Sequence, residues 1–194
     1  MKLLVITRNL PEKIEEVSSL LSQITNIGYR QVIIPIENRD IHLTRDLLSI
    51  NRDTWIIFKE VEDTEIGNYL YSCSQIIRQK DKVTVVFYDI FARHIPRIDL
   101  NNVFTRLKSV DGDVVVVTKS PGEYKVDVKD NLVDRFEKGR VGSYSFIGIS
   151  LFSGRLFKWV NDRYGLDPSI VYSDLDEVLN QYLYNGHKLY AIII

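Results

Sequence analysis

The chain has 194 residues, 45% of them apolar and 26% charged, with a formal net charge of −1. Such a chain is long enough for one globular domain, residues 1–194, that buries a core without disulfide or metal, and its composition excludes a mainly disordered state. The near-zero charge excludes the strongly basic surface of a nucleic-acid binder, and the single cysteine, Cys73, excludes an internal disulfide. No apolar stretch reaches membrane-spanning length and no targeting segment is visible, so the sequence reads as cytoplasmic, with no membrane partner.

In chain order, residues 2–6 read as a strand. Pro11 suits the first turn of a helix, where its missing N–H costs nothing. Ile14, Val17, Leu20, Leu21 and Ile24 then lie on one helical face, and Gly28 can end that helix in a left-handed cap. Residues 31–36 read as a second strand and 44–50 as a short helix. Residues 55–58 form a third apolar run. Thr64 is placed to cap a helix carrying Ile66, Leu70, Cys73 and Ile77, and residues 83–87 form a fourth strand. These runs are continuous rather than alternating, as in strands covered on both faces, and strands separated by helices predict parallel pairing with right-handed crossovers.

The second half changes character. Residues 113–118 read as another buried strand. Residues 124–128 and 132–136 read as a hairpin about a Lys129-Asp130-Asn131 turn. Residues 144–152 form a strand with Gly148 inside it, which marks a bulge or a close backbone approach. Ser173, with Asp176 three residues on, has the spacing of a capping box for a helix burying Leu175, Val178, Leu179, Tyr182 and Leu183. Gly186 closes that helix and a last strand follows.

This order resembles the sugar-nucleotide nucleotidyltransferases, the pyrophosphorylase family, best from Val83 to Ile194. Val83-Thr-Val-Val-Phe-Tyr-Asp89 resembles the family's apolar strand that ends in an acidic metal ligand. Tyr124-Lys-Val and Phe136-Glu137-Lys138 resemble the hairpin leading into its Glu-Lys-Pro motif. Phe146-Ile-Gly148-Ile-Ser-Leu-Phe152 resembles its Gly-Ile-Tyr-x-Phe strand, and Asp174-Leu-Asp-Glu-Val-Leu its closing helix. The resemblance implies a three-layer α/β/α fold with a mainly parallel mixed sheet and an inserted β-hairpin. It implies nucleotide or phosphate contacts at Thr7, Arg8, Lys13 and Gly67, sugar-phosphate contacts at Glu137 and Lys138, and Mg²⁺ on Asp89 if the protein is active.

The departures concern chemistry. The family's first strand leads into a Gly-rich loop whose backbone N–H groups wrap a triphosphate. Here Thr7-Arg8-Asn9-Leu10 joins strand to helix without a glycine. Lys125 stands where the family has Gly, Phe146 where it has Asn, and Gly139 where it has Pro. The sequence also stops at Ile194, ahead of the Trp-x-Asp segment that supplies a second acidic ligand. The expectation is therefore a nucleotidyltransferase-like protein that has lost transfer and binds a nucleotide or nucleotide sugar, or serves as a non-catalytic partner subunit. The alternatives are a minimal Mg²⁺-dependent transferase, or an interaction scaffold that uses an edge strand, or the end around Tyr172 and Tyr190, to meet a second copy or a companion chain.

His42, His94 and His187 lack metal-ligand spacing. Cys73 lies on an apolar helix face and belongs to a core. Arg93, His94 and Arg97 read as a basic surface loop just beyond Asp89.

Overall fold

The computed structural model describes all residues except 30, 51–54, 95–97 and 140–141, together with the side chains of 25, 26 and 50. The chain begins with β1 (Lys2–Ile6), α1 (Leu10–Asn26), β2 (Gln31–Glu37), a 3-10 turn (Asn38–Leu43), α2 (Thr44–Ile50), β3 (Trp55–Val61) and α3 (Ile66–Ser74). Next come β4 (Lys82–Phe87), the one-turn helix α4 (Tyr88–Phe91), α5 (Leu100–Ser109), β5 (Val114–Thr118), β6 (Tyr124–Lys129) and β7 (Leu132–Lys138). The chain finishes with β8 (Tyr144–Ser153), α6 (Gly154–Leu166), a 3-10 segment (Pro168–Tyr172), α7 (Leu175–Tyr184) and β9 (Tyr190–Ile193).

The strands form one mixed sheet in the order β3-β2-β1-β4-β8-β5-β9-β7-β6. The first four are mutually parallel. β8 runs antiparallel to both β4 and β5 and joins the two halves. β6 pairs with β8 as well as β7, so the far end of the sheet curls back on itself. Alternate residues of each buried strand serve opposite faces. Leu4 and Ile6 of β1 enter one apolar core with α3, α6 and α7, while Leu3 and Val5 enter the other with α1 and α5. This is why the strand runs are continuous in apolar character.

Local signals hold at several points. Gly28 and Gly186 take φ of +95° and +83° just beyond α1 and α7. Asp130 and Asn131 are both left-handed, at φ of +52° and +62°, as a two-residue turn between twisted antiparallel strands requires. Two caps shift. Asp174, not Ser173, caps α7, and its reciprocal partner is Glu177 rather than Asp176. Both spacings fit a capping box, but a carboxylate is the better acceptor for the first-turn N–H groups. Thr64 does not cap α3; that position belongs to Glu65, whose side chain makes no capping hydrogen bond. α5 and α6 are additional to the elements expected. No helix among the described residues is long and apolar enough to cross a membrane.

Cys73 lies fully buried on α3, and burial pushes its thiol up to about 12. The thiolate is the reactive form. We expect a disulfide-exchange reagent to leave Cys73 unmodified in the native protein and to modify it stoichiometrically in denaturant; rapid native labelling would contradict the packing of α3.

Candidate active site

β1 and β4 lie side by side and parallel, with residues 6 and 87 in register at their carboxyl ends. From β1 the chain crosses to β2 on one side, while β4 flanks it on the other. The crevice at such a reversal is where open α/β sheets bind ligands. Asp89 enters this crevice from α4, immediately after β4. Gly148 of β8 sets the position of α4. It holds φ of +84°, and a Cβ there would stand 2.6 Å from the Phe91 nitrogen and 2.8 Å from the Phe87 carbonyl oxygen. The close approach expected at this glycine is thus the contact that seats α4.

The link between β1 and α1 comprises residues 7–9. Asn9 turns it at φ of +58°, in a region that asparagine tolerates better than most residues. Thr7 is buried; its hydroxyl donates to the Arg8 carbonyl at 3.0 Å and its own carbonyl faces the Tyr69 hydroxyl. The Arg8 N–H donates to Asp89 Oδ2 at 2.8 Å. The Lys13 ammonium donates to Asp89 Oδ1 and, at 3.3 Å, to the Arg8 carbonyl. Both carboxylate oxygens of Asp89 are therefore engaged, one by backbone and one by a fixed cation.

A second charged cluster faces the first. The Arg8 guanidinium reaches Asp174 Oδ1 at 3.3 Å and Glu65 Oε2 at 3.5 Å. The Tyr124 hydroxyl donates to Asp174 Oδ1 at 2.9 Å, and the Lys138 ammonium donates to Asp174 Oδ2. Lys138 also lies 5.5 Å from the centre of the Tyr124 ring and 3.8 Å from Glu123, which in turn binds Arg93 at 2.8 Å. Burial opposes charge on Asp174. The hydrogen bonds from Lys138, the Leu175 N–H and Tyr124, with the Lys138 charge, outweigh it and hold the carboxyl below its ordinary value. The hydrogen bond to Asp174 raises Lys138, and burial beside Asp174 raises Tyr124. Arg8, Lys13, Arg93 and Lys138 are thus matched by Glu65, Asp89, Glu123 and Asp174. A cavity of about 130 Å³ between Arg8, Asp89, Arg93 and Tyr124 is what this arrangement leaves.

The structure therefore gathers Thr7, Arg8, Lys13, Asp89 and Lys138. It does not bring Gly67 or Glu137 into the cluster. Gly67 is buried against the 3-10 segment before α7, where its N–H donates to the Ser173 carbonyl and a Cβ would meet the Ile170 carbonyl oxygen at 1.9 Å. Its need for a hydrogen side chain has a packing cause. Adjacent strand residues face opposite ways, and Glu137 pairs with Arg135 at 3.2 Å while Lys138 reaches Asp174. His94 is buried rather than part of a surface patch, and Arg97 lies outside the described residues. Tyr124 and Asp174 enter the site as residues the sequence marks only as strand and helix start. No group of three His, Cys, Asp or Glu side chains placed to hold a metal ion occurs among the described residues.

Compared by sequence, the chain matches no family model and no curated protein. Compared by structure, it has the fold of the nucleotidyltransferases. It is similar to the inositol-1-phosphate CTP transferase of T. maritima over 99% of this chain and 84% of that one, with a TM-score of 0.68 and 12% identity. It is similar to 4-diphosphocytidyl-2C-methyl-D-erythritol synthase of Anaerococcus prevotii over 99% and 87%, with a TM-score of 0.69 and 13% identity. A UDP-glucose pyrophosphorylase solved with UDP-glucose aligns over 98% of this chain and 89% of that one, with a TM-score of 0.65 and 10% identity. At such identities the likeness is one of fold, and function has to be argued from the site.

Proposed function

We propose that the protein holds a nucleotide or nucleotide sugar in the Arg8–Asp89 crevice and does not transfer a nucleotidyl group. The observation that carries this reading is the β1–α1 link. It is three residues long, and the N–H of its middle residue is spent on Asp89. A triphosphate cradle needs a run of backbone N–H groups free to face the ligand. The cations gathered around the crevice, Arg8, Lys13, Arg93 and Lys138, suit phosphate oxygens.

The cavity of about 130 Å³ is smaller than the roughly 300–1,000 Å³ usual for ligand pockets. A ligand of nucleotide size therefore enters by displacing the long Arg8 pairs to Glu65 and Asp174. Such partly exposed pairs contribute little and open readily.

The test is thermal unfolding against nucleoside triphosphates and nucleotide sugars, in EDTA and in Mg²⁺. A ligand at about 100 times its Kd adds roughly 2.7 kcal/mol, which is about 5–10 °C for a domain of this size. At least one nucleotide is expected to produce such a shift, with no pyrophosphate released when a sugar 1-phosphate is added. A chain that no nucleotide stabilises rules out the binding role, and Mg²⁺-dependent pyrophosphate release rules out the loss of transfer.

A further inference from the structure

We infer that the Lys13 ammonium occupies the cation position on Asp89 permanently, so that the crevice meets its anionic ligand through a built-in monovalent charge and excludes divalent metal. This deepens the reading above. Three observations lead to it. First, the ammonium rests on two oxygens from different elements, Asp89 Oδ1 from α4 and the Arg8 carbonyl from the β1–α1 link. Oxygen donors converging on one point are what a hard cation selects. Second, the other carboxylate oxygen is closed by the Arg8 N–H at 2.8 Å, and no further His, Cys, Asp or Glu pair joins Asp89 among the described residues. Mg²⁺ requires a near-octahedral oxygen shell. To gain even one protein oxygen here it would have to expel an ammonium of like sign. The residues present therefore do not fit Mg²⁺.

Third, Lys13 stands in the opening turn of α1, which starts at Leu10. The helix dipole disfavours a positive charge at that end. The side chain is nevertheless folded onto Asp89 with about a quarter of its surface exposed (27%), so the attraction of Asp89 prevails over the dipole. An ammonium has three N–H donors. Two are directed at Asp89 and the Arg8 carbonyl, and the third is left for an incoming phosphate oxygen beside the Arg8 guanidinium.

The experiment titrates Mn²⁺ alone, read by loss of the free-ion paramagnetic resonance signal, into the wild type, Lys13→Met, Lys13→Arg, Asp89→Asn and Lys13→Met/Asp89→Asn. Because no nucleotide is present, the outcome is independent of whether the crevice binds one. Removing a like charge at contact distance should tighten Mn²⁺ binding at least about tenfold in Lys13→Met. The gain should disappear in the double variant, and Lys13→Arg should stay as weak as the wild type. Lys13→Gln repeats the measurement should Lys13→Met fail to show a cooperative melt. Wild-type protein that binds Mn²⁺ stoichiometrically and loses it on Asp89→Asn overturns the inference. So does a folded Lys13→Met or Lys13→Gln protein with no gain.

Discussion

Gly148→Ala is expected to destabilise the protein by about 3 kcal/mol, the sum of a left-handed backbone cost of roughly 1–2 kcal/mol and an overpacking cost of similar size. Gly148 adopts φ of +84° and its added methyl would stand 2.6 Å from the Phe91 nitrogen. Neither neighbour is the end of a flexible side chain. Both belong to the backbone that enters and leaves α4, so relief requires α4 to move, and Asp89 moves with it. Gly186 provides the control, because its φ of +83° is almost the same and a Cβ there meets nothing within 4 Å. Gly186→Ala should therefore show the backbone cost alone. In thermal melts the difference between the variants should be several degrees, at about 2–4 °C per kcal/mol for this size. Equal losses would mean that the contact with α4 is not what requires glycine at 148.

The second large effect is expected at Asp174, where stability and ligand affinity should change in opposite directions. Asp174→Ala removes the α7 N-cap and leaves Arg8 and Lys138 facing each other without their shared carboxylate. The cap is worth about 1 kcal/mol, and the loss of two partly exposed ion pairs adds at most about 1 kcal/mol more, because Arg8 keeps Glu65 and Lys138 keeps Glu123. The same change vacates the anion position that Asp174 holds between those cations. Pyrophosphate affinity should rise about tenfold or more, because an internal competitor of the same sign is gone. Asp174→Asn separates the two roles, since asparagine caps a helix as well as aspartate does.

The pH dependence fixes the sign. The Asp174 carboxyl is held below its ordinary value of 3.8 in the folded state, so the stability its charge contributes is fully present above that value. It is lost as the pH falls through the depressed one. The wild type should accordingly exceed Asp174→Asn in stability near neutrality and lose that advantage in acid, below about pH 4. A difference that does not change with pH would assign the effect to geometry rather than charge.

Strand positions were legible because a strand buried on both faces needs an unbroken apolar run, and few other elements of that length do. The helices α5 and α6 were not, for reasons visible in their residues. α5 buries only Val103, Phe104 and Leu107 among polar neighbours. α6 begins at Gly154 directly from β8 with no intervening loop, and Gly165 lies in its last turn. Glycine and an absent loop both erase the usual boundary signals. At the site, Asp89 was legible because topology and strand ending coincide there. Asp174 was not, because its partners Arg8, Tyr124 and Lys138 come from β6, β7 and the β1–α1 link, far away in sequence. No local pattern encodes such a meeting. The pairing of Lys13 with Asp89 was invisible for the same reason.

The place of β9 in the sheet has a consequence for biosynthesis. The first four strands neighbour one another and are complete once residue 87 has been made. The other half waits, because β9 lies between β5 and β7 and its residues pair with residues 114–117 and with Leu132. Until residues 190–193 leave the ribosome, β5 and β7 each lack a neighbour. The nascent chain therefore carries four paired strands whose β4 edge and whose face beneath α6 and α7 stay open until the later elements are made. Strand edges exposed in such an interval are where aggregation competes with folding.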